Sequence, residues 1–333
     1  MTRVQDARAA RGVFASIAAL ALSGCTGALS ALDPAGPAAQ SVAHVWWWML
    51  GGATLVLFGV LLLAGLAFRR PDGQRLSSGG AWRMIVAGGV VLPSVVIVAL
   101  LIYGLPAGQS MRAGASDAYV VDVRAHQWWW EVIYPDGERS PLASASEIHI
   151  PAGRPVTLNI SSADVIHSFW IPRLGGKIDA IPGRTNRLHL FVDEPGAYAG
   201  VCAEFCGAQH ARMRMTIVAH DPDELARRRA LLAQVHPARD RLLQNADFAR
   251  QCLACHALDP RAPASDAPFA GPNLAGLSSR ATLGSGLLPN TPENLDIWLR
   301  EHQHLKPGNH MPHVDLSSAQ WEAITALLGE RHD

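Results

Sequence analysis

The sequence has few charged residues and no net charge. Charged side chains make up 17% of its 333 residues, against roughly 25% in ordinary soluble domains, and this composition argues against a disordered or wholly soluble chain. Lys and Arg together number 28, as do Asp and Glu, so no positive excess attracts the chain to nucleic acid. A nucleic-acid-binding protein is therefore excluded.

The chain also lacks the even number of cysteines that a disulfide framework requires. Its five cysteines are Cys25, Cys202, Cys206, Cys252 and Cys255. The last four form two pairs whose spacings are typical of metal or cofactor ligands. Metal or cofactor chemistry is the leading interpretation.

The N-terminus has the pattern of a secretory signal. Three arginines precede an apolar run over residues 12–22, which is too short to span a membrane, and small residues follow before Cys25. This pattern predicts a signal peptide over residues 1–24. Leu22-Ser23-Gly24-Cys25 resembles a bacterial lipoprotein cleavage box, which makes Cys25 a candidate for lipid attachment; an ordinary signal peptide is the alternative. Either places the mature chain outside the cytoplasm.

Two longer apolar stretches, residues 44–68 and 84–105, contain no charged residue. Both are long enough to cross the roughly 30 Å hydrocarbon core of a bilayer as helices. Between them Arg69, Arg70, Arg75 and Arg83 stand against one acid, Asp72. The positive-inside rule predicts that this loop is cytoplasmic and that everything after the second helix lies outside.

From residue 117 to residue 219 the sequence changes to short alternating runs bounded by Gly, Pro, Asp or Ser. The runs are residues 119–123, 147–150, 156–160, 188–192 and 213–218. Their spacing predicts a compact β-sandwich of about 100 residues.

The last loop of this region carries Cys202, Cys206, His210 and Met213. Two thiolates, an imidazole and a thioether form a copper-type ligand set. A blue copper site would need one Cys, and a structural zinc site prefers four Cys or His ligands. A Cys202–Cys206 disulfide is a competitor outside the cytoplasm. Two thiolates can bridge two copper ions, each of which then needs a further imidazole, and His167 is the candidate for the second.

Three segments together, residues 167–172, residues 177–184 and the Cys-x-Glu-x-Cys-x-x-x-His-x-x-Met loop, resemble subunit II of cytochrome c oxidase. The resemblance implies a cupredoxin-like Greek-key β-sandwich over residues 111–220 with a binuclear CuA centre. The implied ligands are His167, Cys202, Cys206, His210, Met213 and the backbone carbonyl of Glu204. In the family the Glu204 side chain would point to a magnesium site shared with the catalytic subunit; an exposed loop acid is the alternative.

Residues 125–130, Ala-His-Gln-Trp-Trp-Trp, resemble the aromatic stretch beside CuA in this family. The resemblance implies that electrons enter through Trp128, whereas a core or membrane-anchoring role is the alternative. The sequence departs from many family members in one respect. Residues 74–116 contain no Asp or Glu, so a proton path that begins at a carboxylate on the second helix must start differently here.

Residues 221–245 are rich in Ala, Leu and Arg and predict a helical linker with a solvated basic face at Arg227, Arg228 and Arg229. The sequence Cys252-Leu-Ala-Cys255-His256 follows, which is a c-type haem attachment pattern. The two thiols would form thioethers and His256 would be the proximal iron ligand. A zinc site would need a second Cys pair, and no pair remains besides Cys202 and Cys206 of the copper-type loop.

Met311 is the candidate sixth ligand of the haem iron, because no other Met follows Met215. His302, His304, His310 and His313 compete with it. Residues 271–274, the Met311-Pro312 step and a closing helix over residues 321–328 resemble class I cytochromes c. This resemblance implies an all-α cytochrome c domain over residues 246–333.

Together these features predict a multidomain membrane protein: a signal peptide, an N-terminal segment and transmembrane hairpin (25–110), a CuA domain, a linker and a cytochrome c domain. The resemblance implies the electron-accepting subunit of a haem-copper oxygen reductase in a bacterial cell membrane. Electrons would pass from haem c to CuA and then to subunit I, with both cofactor domains on the outer face and a cytochrome or upstream complex as donor. A CuA-bearing subunit of a nitric oxide reductase is the alternative. A quinol oxidase subunit is disfavoured because those lack the copper ligands.

Overall fold

The computed structural model describes residues 24–69, 77–110, 116–264 and 269–331. Residues 1–23 of the expected signal peptide lie outside these ranges. The described chain divides into two compact units: residues 40–113 form one, and the rest forms the other.

The smaller unit contains apolar helices. The helical segments are α1 (Pro37–Phe68), α2 (Ser78–Val86), a π-helical turn (Ala87–Val91) and α3 (Leu92–Ser110). The stretches Pro37–Phe68 and Ser78–Pro106 are long and apolar enough to cross a membrane. The two predicted apolar helices are therefore present, and each begins earlier than its apolar run. Arg70, Asp72 and Arg75 lie outside the described residues, so the cytoplasmic position of the loop stays a prediction.

The larger unit begins with a sandwich of two five-stranded sheets. One sheet has the order β3-β2-β1-β5-β8 and the other β4-β10-β9-β6-β7. The strands are β1 Tyr119–His126, β2 Trp129–Asp136, β3 Arg139–Ala145, β4 Glu147–Pro151, β5 Val156–Ser162, β6 His167–Trp170, β7 Ile178–Ala180, β8 Asn186–Leu190, β9 Gly196–Cys202 and β10 Arg214–His220. The predicted β-sandwich is confirmed.

Alternation of apolar and polar residues explains several of these strands. In β5, Val156, Leu158 and Ile160 are buried while the residues between them are only partly covered, because successive strand residues point to opposite faces. Each of the five predicted runs overlaps a strand. Two of the remaining strands lack this signal: β2 is buried at most positions, and β6 has only four residues.

The chain before α1 packs against the sandwich. The backbone N–H of Ala35 donates to the carbonyl of Arg173 at 2.7 Å, and the Arg173 guanidinium forms an ion pair with Asp33 at 3.3 Å. This segment has no hydrophobic period, so the sequence did not predict its position.

The C-terminal part of the larger unit combines short helices with a small sheet. Its elements are α4 (Pro222–Leu232), α5 (Arg239–Gln244), α6 (Ala246–Gln251), β11 (Thr282–Leu283), β12 (Leu288–Pro289), α7 (Pro292–Leu305) and α8 (Ser318–Leu328). Phe248, Leu295, Trp321 and Ile324 belong to its hydrophobic core. The expectation of an all-α cytochrome c domain stays a prediction.

The basic face of α4 differs from the expectation. Arg227 is exposed, but Arg228 forms a largely buried ion pair with Glu147 at 2.9 Å, and Arg229 donates to the Tyr119 hydroxyl at 2.8 Å. The prediction of a solvated basic face is wrong for Arg228 and Arg229, because their long side chains reach back to polar groups of the sandwich.

Candidate functional site

The expected copper ligands converge at one end of the sandwich. His167 is the first residue of β6, which pairs with β9 so that Phe169 lies opposite Cys202. Strand β9 ends at Cys202, and β10 begins at Arg214 after the loop that carries the other ligands. Ligand atoms of His167, Cys202 and Cys206 lie within 4.8 Å of one another, and all three residues are buried.

The distances place two sulfur atoms at the centre of the site. The Sγ atoms of Cys202 and Cys206 are 3.8 Å apart, and both cysteines are free, so this arrangement contains no disulfide. The surrounding distances are Cys202 Sγ to His167 Nδ1, 3.9 Å; Cys202 Sγ to Glu204 O, 3.2 Å; Cys206 Sγ to His210 Nδ1, 3.7 Å; and Cys206 Sγ to Met213 Sδ, 3.9 Å. Each sulfur therefore has one imidazole beside it.

Asp164 orients one of these imidazoles. Its Oδ1 lies 2.8 Å from His167 Nε2, so a proton on Nε2 leaves Nδ1 unprotonated on the side that faces Cys202. A carboxylate that accepts the second N–H of a ligating His is common at metal sites. Burial alone would raise the pKa of Asp164, but hydrogen bonds from His167, Val165 and Gln127 lower it. In the sequence, the signal for this role is the position of Asp164 three residues before His167.

Trp128 contacts the metal loop directly. Its indole Nε1–H donates to the carbonyl of Cys206 at 2.9 Å, and the Gln127 amide donates to the same oxygen at 2.8 Å. Gly207 permits this approach: it has a φ of +111°, and a Cβ at this position would lie 3.0 Å from Trp128 Cζ2. Trp128 is thus fixed against the backbone of a predicted copper ligand.

The four expected haem-binding residues line one cavity. Cys252, Cys255, His256 and Met311 all contribute to its wall, and its space of about 1440 Å³ includes the opening to solvent. Core residues of the C-terminal helices line it as well, including Phe248, Leu295, Leu299, Trp321 and Ile324. Trp128 and Trp129 of the sandwich also border the cavity. The cavity therefore lies within the larger unit, where the sandwich domain meets the C-terminal domain.

Backbone groups hold His256 in position. Its Nδ1 lies 2.7 Å from the carbonyl oxygen of Pro272, so Nδ1–H donates there and Nε2 keeps its lone pair for a ligand. Burial lowers the pKa of His256, which favours the neutral ring. Gly271 is needed for this fit, since a Cβ there would lie 2.4 Å from His256 Cε1.

The histidines that compete with Met311 have other environments. His302 is buried with Nε2 3.1 Å from the carbonyl oxygen of Met311, and His304 and His313 are exposed. His310 lines the cavity, but its ring stacks on Trp128 with centroids 4.8 Å apart and also contacts Phe269 at 4.2 Å. Within the described residues, Met311 and His310 are the candidates that border the cavity.

Cys25 and the Glu204 side chain lie outside both the group of expected copper ligands and the cavity of the C-terminal domain. Cys25 is partly buried and free, and its carbonyl accepts a hydrogen bond from the Ser30 hydroxyl at 2.7 Å. Glu204 is exposed, so only its carbonyl belongs to the sulfur cluster.

The profile of the family described as "Cytochrome C oxidase subunit II, periplasmic domain" matches residues 134–220. Cytochrome c oxidase subunit 2 of Alkalihalophilus pseudofirmus is 33% identical over 347 residues, which cover 96% of each chain. The chain belongs to the cytochrome c oxidase subunit II family.

Two further comparisons cover smaller shares of the chain. The subunit 2 of Bacillus sp. PS3 is 33% identical over 63% of this chain and 61% of its own length. The crystal structure of the periplasmic domain of cytochrome oxidase subunit II from Bradyrhizobium japonicum is 30% identical, covers 34% of this chain and 91% of its own, and gives a TM-score of 0.32.

Membership of the subunit II family implies a binuclear CuA centre, and the donor set fits it. Two thiolates, two imidazoles, a thioether and a carbonyl suit copper, which accepts soft sulfur and borderline nitrogen ligands. The two buried sulfur atoms are 3.8 Å apart, too far for a disulfide bond, so both thiols are available as metal ligands. The subunit II fold thus provides the expected copper-type site at the end of its sandwich.

Gly271→Ala is expected to destabilise the C-terminal part of the oxidase subunit. The new methyl group would clash with His256 and should cost roughly 1–3 kcal/mol, as overpacking of a filled site usually does. Thermal unfolding of the full chain in detergent measures this cost. Gly276→Ala is the matched control, since its Cβ would meet only side-chain atoms at 3.6 Å or more. Equal stability of the two variants would show that His256 has space to move.

Proposed function

We propose that this subunit passes electrons from a covalently bound haem c in its C-terminal domain to CuA and on to subunit I, where oxygen is reduced to water. One observation carries the proposal. The cavity lined by Cys252, Cys255, His256 and Met311 is bordered by Trp128, whose indole donates a hydrogen bond to the backbone of Cys206.

The proposed CuA ligands are His167, Cys202, Cys206, His210, Met213 and the carbonyl of Glu204. The copper pair that these residues would hold would accept and release one electron shared between its two ions. The chain contributes rigidity and exclusion of water: Cys202, Cys206 and Met213 are buried, and Asp164 holds the His167 ring in one orientation. Little reorganisation is then needed when an electron arrives.

In the C-terminal domain, Cys252 and Cys255 would form the thioethers, and His256 would bind the iron through Nε2. Met311 would supply the second iron ligand, and methionine ligation would raise the potential of an electron-transfer haem. Hydrogen bonds to its backbone support this position. The Gln303 amide donates to the Met311 carbonyl at 2.7 Å, and the Met311 N–H donates to the Asn309 side chain at 2.9 Å.

Trp128 is the proposed residue through which electrons reach CuA. Its ring borders the haem cavity on one side and is hydrogen-bonded to the ligand loop on the other. Trp129 stacks on His126 with centroids 4.4 Å apart and fits a packing role. The route from the cavity to Cys206 thus needs no large movement of either domain.

The setting of the subunit completes the proposal. Both cofactor domains would lie on the outer face of a bacterial membrane, anchored by the two apolar helices, with a lipid on Cys25 as an additional anchor. The exposed Glu204 carboxylate would face a magnesium ion shared with subunit I. The site that reduces the acceptor would belong to the partner subunit. Oxygen rather than nitric oxide is the proposed acceptor because the chain belongs to the cytochrome c oxidase subunit II family.

Cys206→Ser should abolish the copper signature. The full-length subunit is expected to bind two coppers and to give a mixed-valence spectrum, and a serine hydroxyl is too hard a ligand to replace a bridging thiolate. Metal analysis and electron paramagnetic resonance measure both quantities. Cys25→Ser is the matched control and should keep two coppers. One copper per wild-type chain, or a blue type I spectrum, would contradict the CuA assignment.

Met311→Ala should change the haem without detaching it. Haem is expected to stay with the chain during acid-acetone extraction because thioethers are covalent, in the wild type and in the variant. The variant should lose the methionine-iron charge-transfer band and have a lower reduction potential. His313→Ala, which alters an exposed side chain, should change neither property. Survival of the band in Met311→Ala would assign the sixth ligand to another residue, with His310 the first to examine.

Trp128→Ala should slow haem-to-copper electron transfer by orders of magnitude with both cofactor spectra intact. Flash photolysis of the purified complex, following haem c oxidation and CuA reduction together, measures this rate. If Trp128 had only a packing role, the change would mainly reduce stability, by roughly 3–5 kcal/mol for a large buried aromatic. Normal transfer in a folded variant would mean that electrons enter elsewhere.

A further inference from the structure

A buried lysine lies at the junction of the two domains. Lys306 follows α7, and only 3% of its surface is exposed. Its ammonium donates to the carbonyl of Trp128 at 3.2 Å and to the carbonyl of Gly284 at 3.1 Å. One acceptor belongs to the sandwich and the other to the C-terminal domain, so a single cation links the two.

Among the described residues, no carboxylate forms an ion pair with this ammonium. Burial, together with the nearby charge of Arg212, lowers its pKa to about 8. A buried cation is costly unless hydrogen bonds replace its water, and hydrogen bonds from a charged donor are stronger than neutral ones. The carbonyls of Trp128 and Gly284 accept these hydrogen bonds only when the sandwich and the C-terminal domain keep this relative position. The lysine therefore favours one docked arrangement over others.

The choice of lysine is unusual for this chain. Lys and Arg together number 28, and Lys306 and Lys177 are the only lysines among them. An ammonium is a compact charge with three rotatable donors, whereas a guanidinium is planar and needs a flat, fork-shaped site. Two carbonyls from different domains suit the compact group.

Neighbouring groups reinforce the same contact. The Arg212 guanidinium donates to the carbonyl of Leu305 at 2.5 Å, and the Gln209 amide donates to the carbonyl of Pro307 at 2.5 Å. Both donors come from the loop that carries the proposed copper ligands. Residues 305–307 are therefore bound to the copper loop and to Trp128 at three consecutive positions.

The docked domain also covers Trp128. Only 8% of this tryptophan is exposed, and His310, four residues after Lys306, stacks on its ring. A soluble donor protein cannot contact the indole while the C-terminal domain occupies this position.

We propose that Lys306 is a positioning residue that fixes the C-terminal domain over Trp128, so that CuA accepts electrons from this chain's own haem and is closed to external donor proteins. The inference rests on the proposed function. One electron is transferred in the step: ferrous haem c becomes ferric, the oxidised copper pair gains that electron, and no bond forms or breaks. An external cytochrome would deliver electrons only to the haem.

The two lysines allow a direct test of docking. The full-length chain in detergent is treated with an amine-acetylating reagent, and acetylation of each lysine is followed by mass spectrometry. Lys177, whose side chain is 49% exposed, is the internal reference. Lys306 should react at least about tenfold more slowly, because only the small undocked population exposes it, and the difference should vanish in denaturant. Equal rates in the native chain would overturn the docked arrangement.

Lys306→Met keeps the aliphatic stem and removes the ammonium, and Lys177→Met is its matched control. In the Lys306 variant, hydrogen exchange of peptides spanning residues 124–131 and 204–214 should rise by about tenfold or more, with α7 and α8 still protected. Haem-to-copper transfer should slow and become dependent on viscosity, since the domain must first re-dock. The spectrum of the copper centre should stay unchanged, and the control should match the wild type in every respect.

Stopped-flow mixing with reduced soluble cytochrome c tests the closure to external donors. In the wild type, CuA reduction should always follow haem c reduction, whereas in Lys306→Met part of the copper should be reduced directly. Wild-type exchange and kinetics in this variant would overturn the proposal, as would loss of protection throughout both domains. A wild-type chain without covalent haem would instead contradict the proposed function, and the acetylation and exchange measurements would still decide whether Lys306 fixes the domains.

Discussion

The hydrogen bond from the Trp128 indole to the carbonyl of Cys206 is the contact on which the rest of the site depends. It fixes an aromatic ring to the backbone of Cys206, a proposed copper ligand, so the position of this loop and the position of the domain interface cannot vary independently. The glycine at position 207 allows the approach, and the Gln127 amide shares the same acceptor. A displaced Trp128 would disturb the copper side and the cavity side at once.

A buried cluster of polar groups around Glu147 also joins the sandwich to the C-terminal domain, at a distance from the copper loop. Glu147 of β4 accepts hydrogen bonds from Arg228 of the linker helix at 2.9 Å and from the N–H of Ala281 at 2.8 Å. Burial would raise the pKa of Glu147, but hydrogen bonds and charge from His149, Ala281 and Arg228 together lower it to about 2. The carboxylate therefore stays charged, and it ties sandwich, linker and C-terminal domain together. Polar contacts thus hold the C-terminal domain at separate places, at Glu147 and at residues 305–307, which restricts rotation about either one.

The sequence predicted what is encoded by local spacing and missed what is created by long-range packing. Cys202, Cys206, His210 and Met213 fall within one loop, so their spacing alone indicated a metal site. His167 is remote in sequence: the need for a second imidazole made it a candidate, and the resemblance to the oxidase family supported the assignment. Strands with alternating burial, such as β5, could be predicted, whereas β2 is buried on both faces and has no period. The roles of Asp164, Gly271 and Lys306 depend on atoms contributed by other segments, and no spacing rule reports those.

Under the proposed function, a covalent tether alone would not suffice for fast electron transfer from the C-terminal domain. A flexible linker raises the effective concentration of a donor domain and so increases the frequency of encounter, but each encounter must still find the right orientation. Electron tunnelling weakens steeply as the gap between donor and acceptor widens, so a loosely tethered haem would spend most of its time at unproductive distances. In the proposed function, the contacts of Arg228, Lys306 and the copper loop would replace this search by one fixed geometry. Those contacts are directional hydrogen bonds, and many of them involve backbone groups. They therefore constrain the orientation of the C-terminal domain more strictly than an apolar surface of the same area would. The linker helix therefore acts as part of the interface rather than as a spacer.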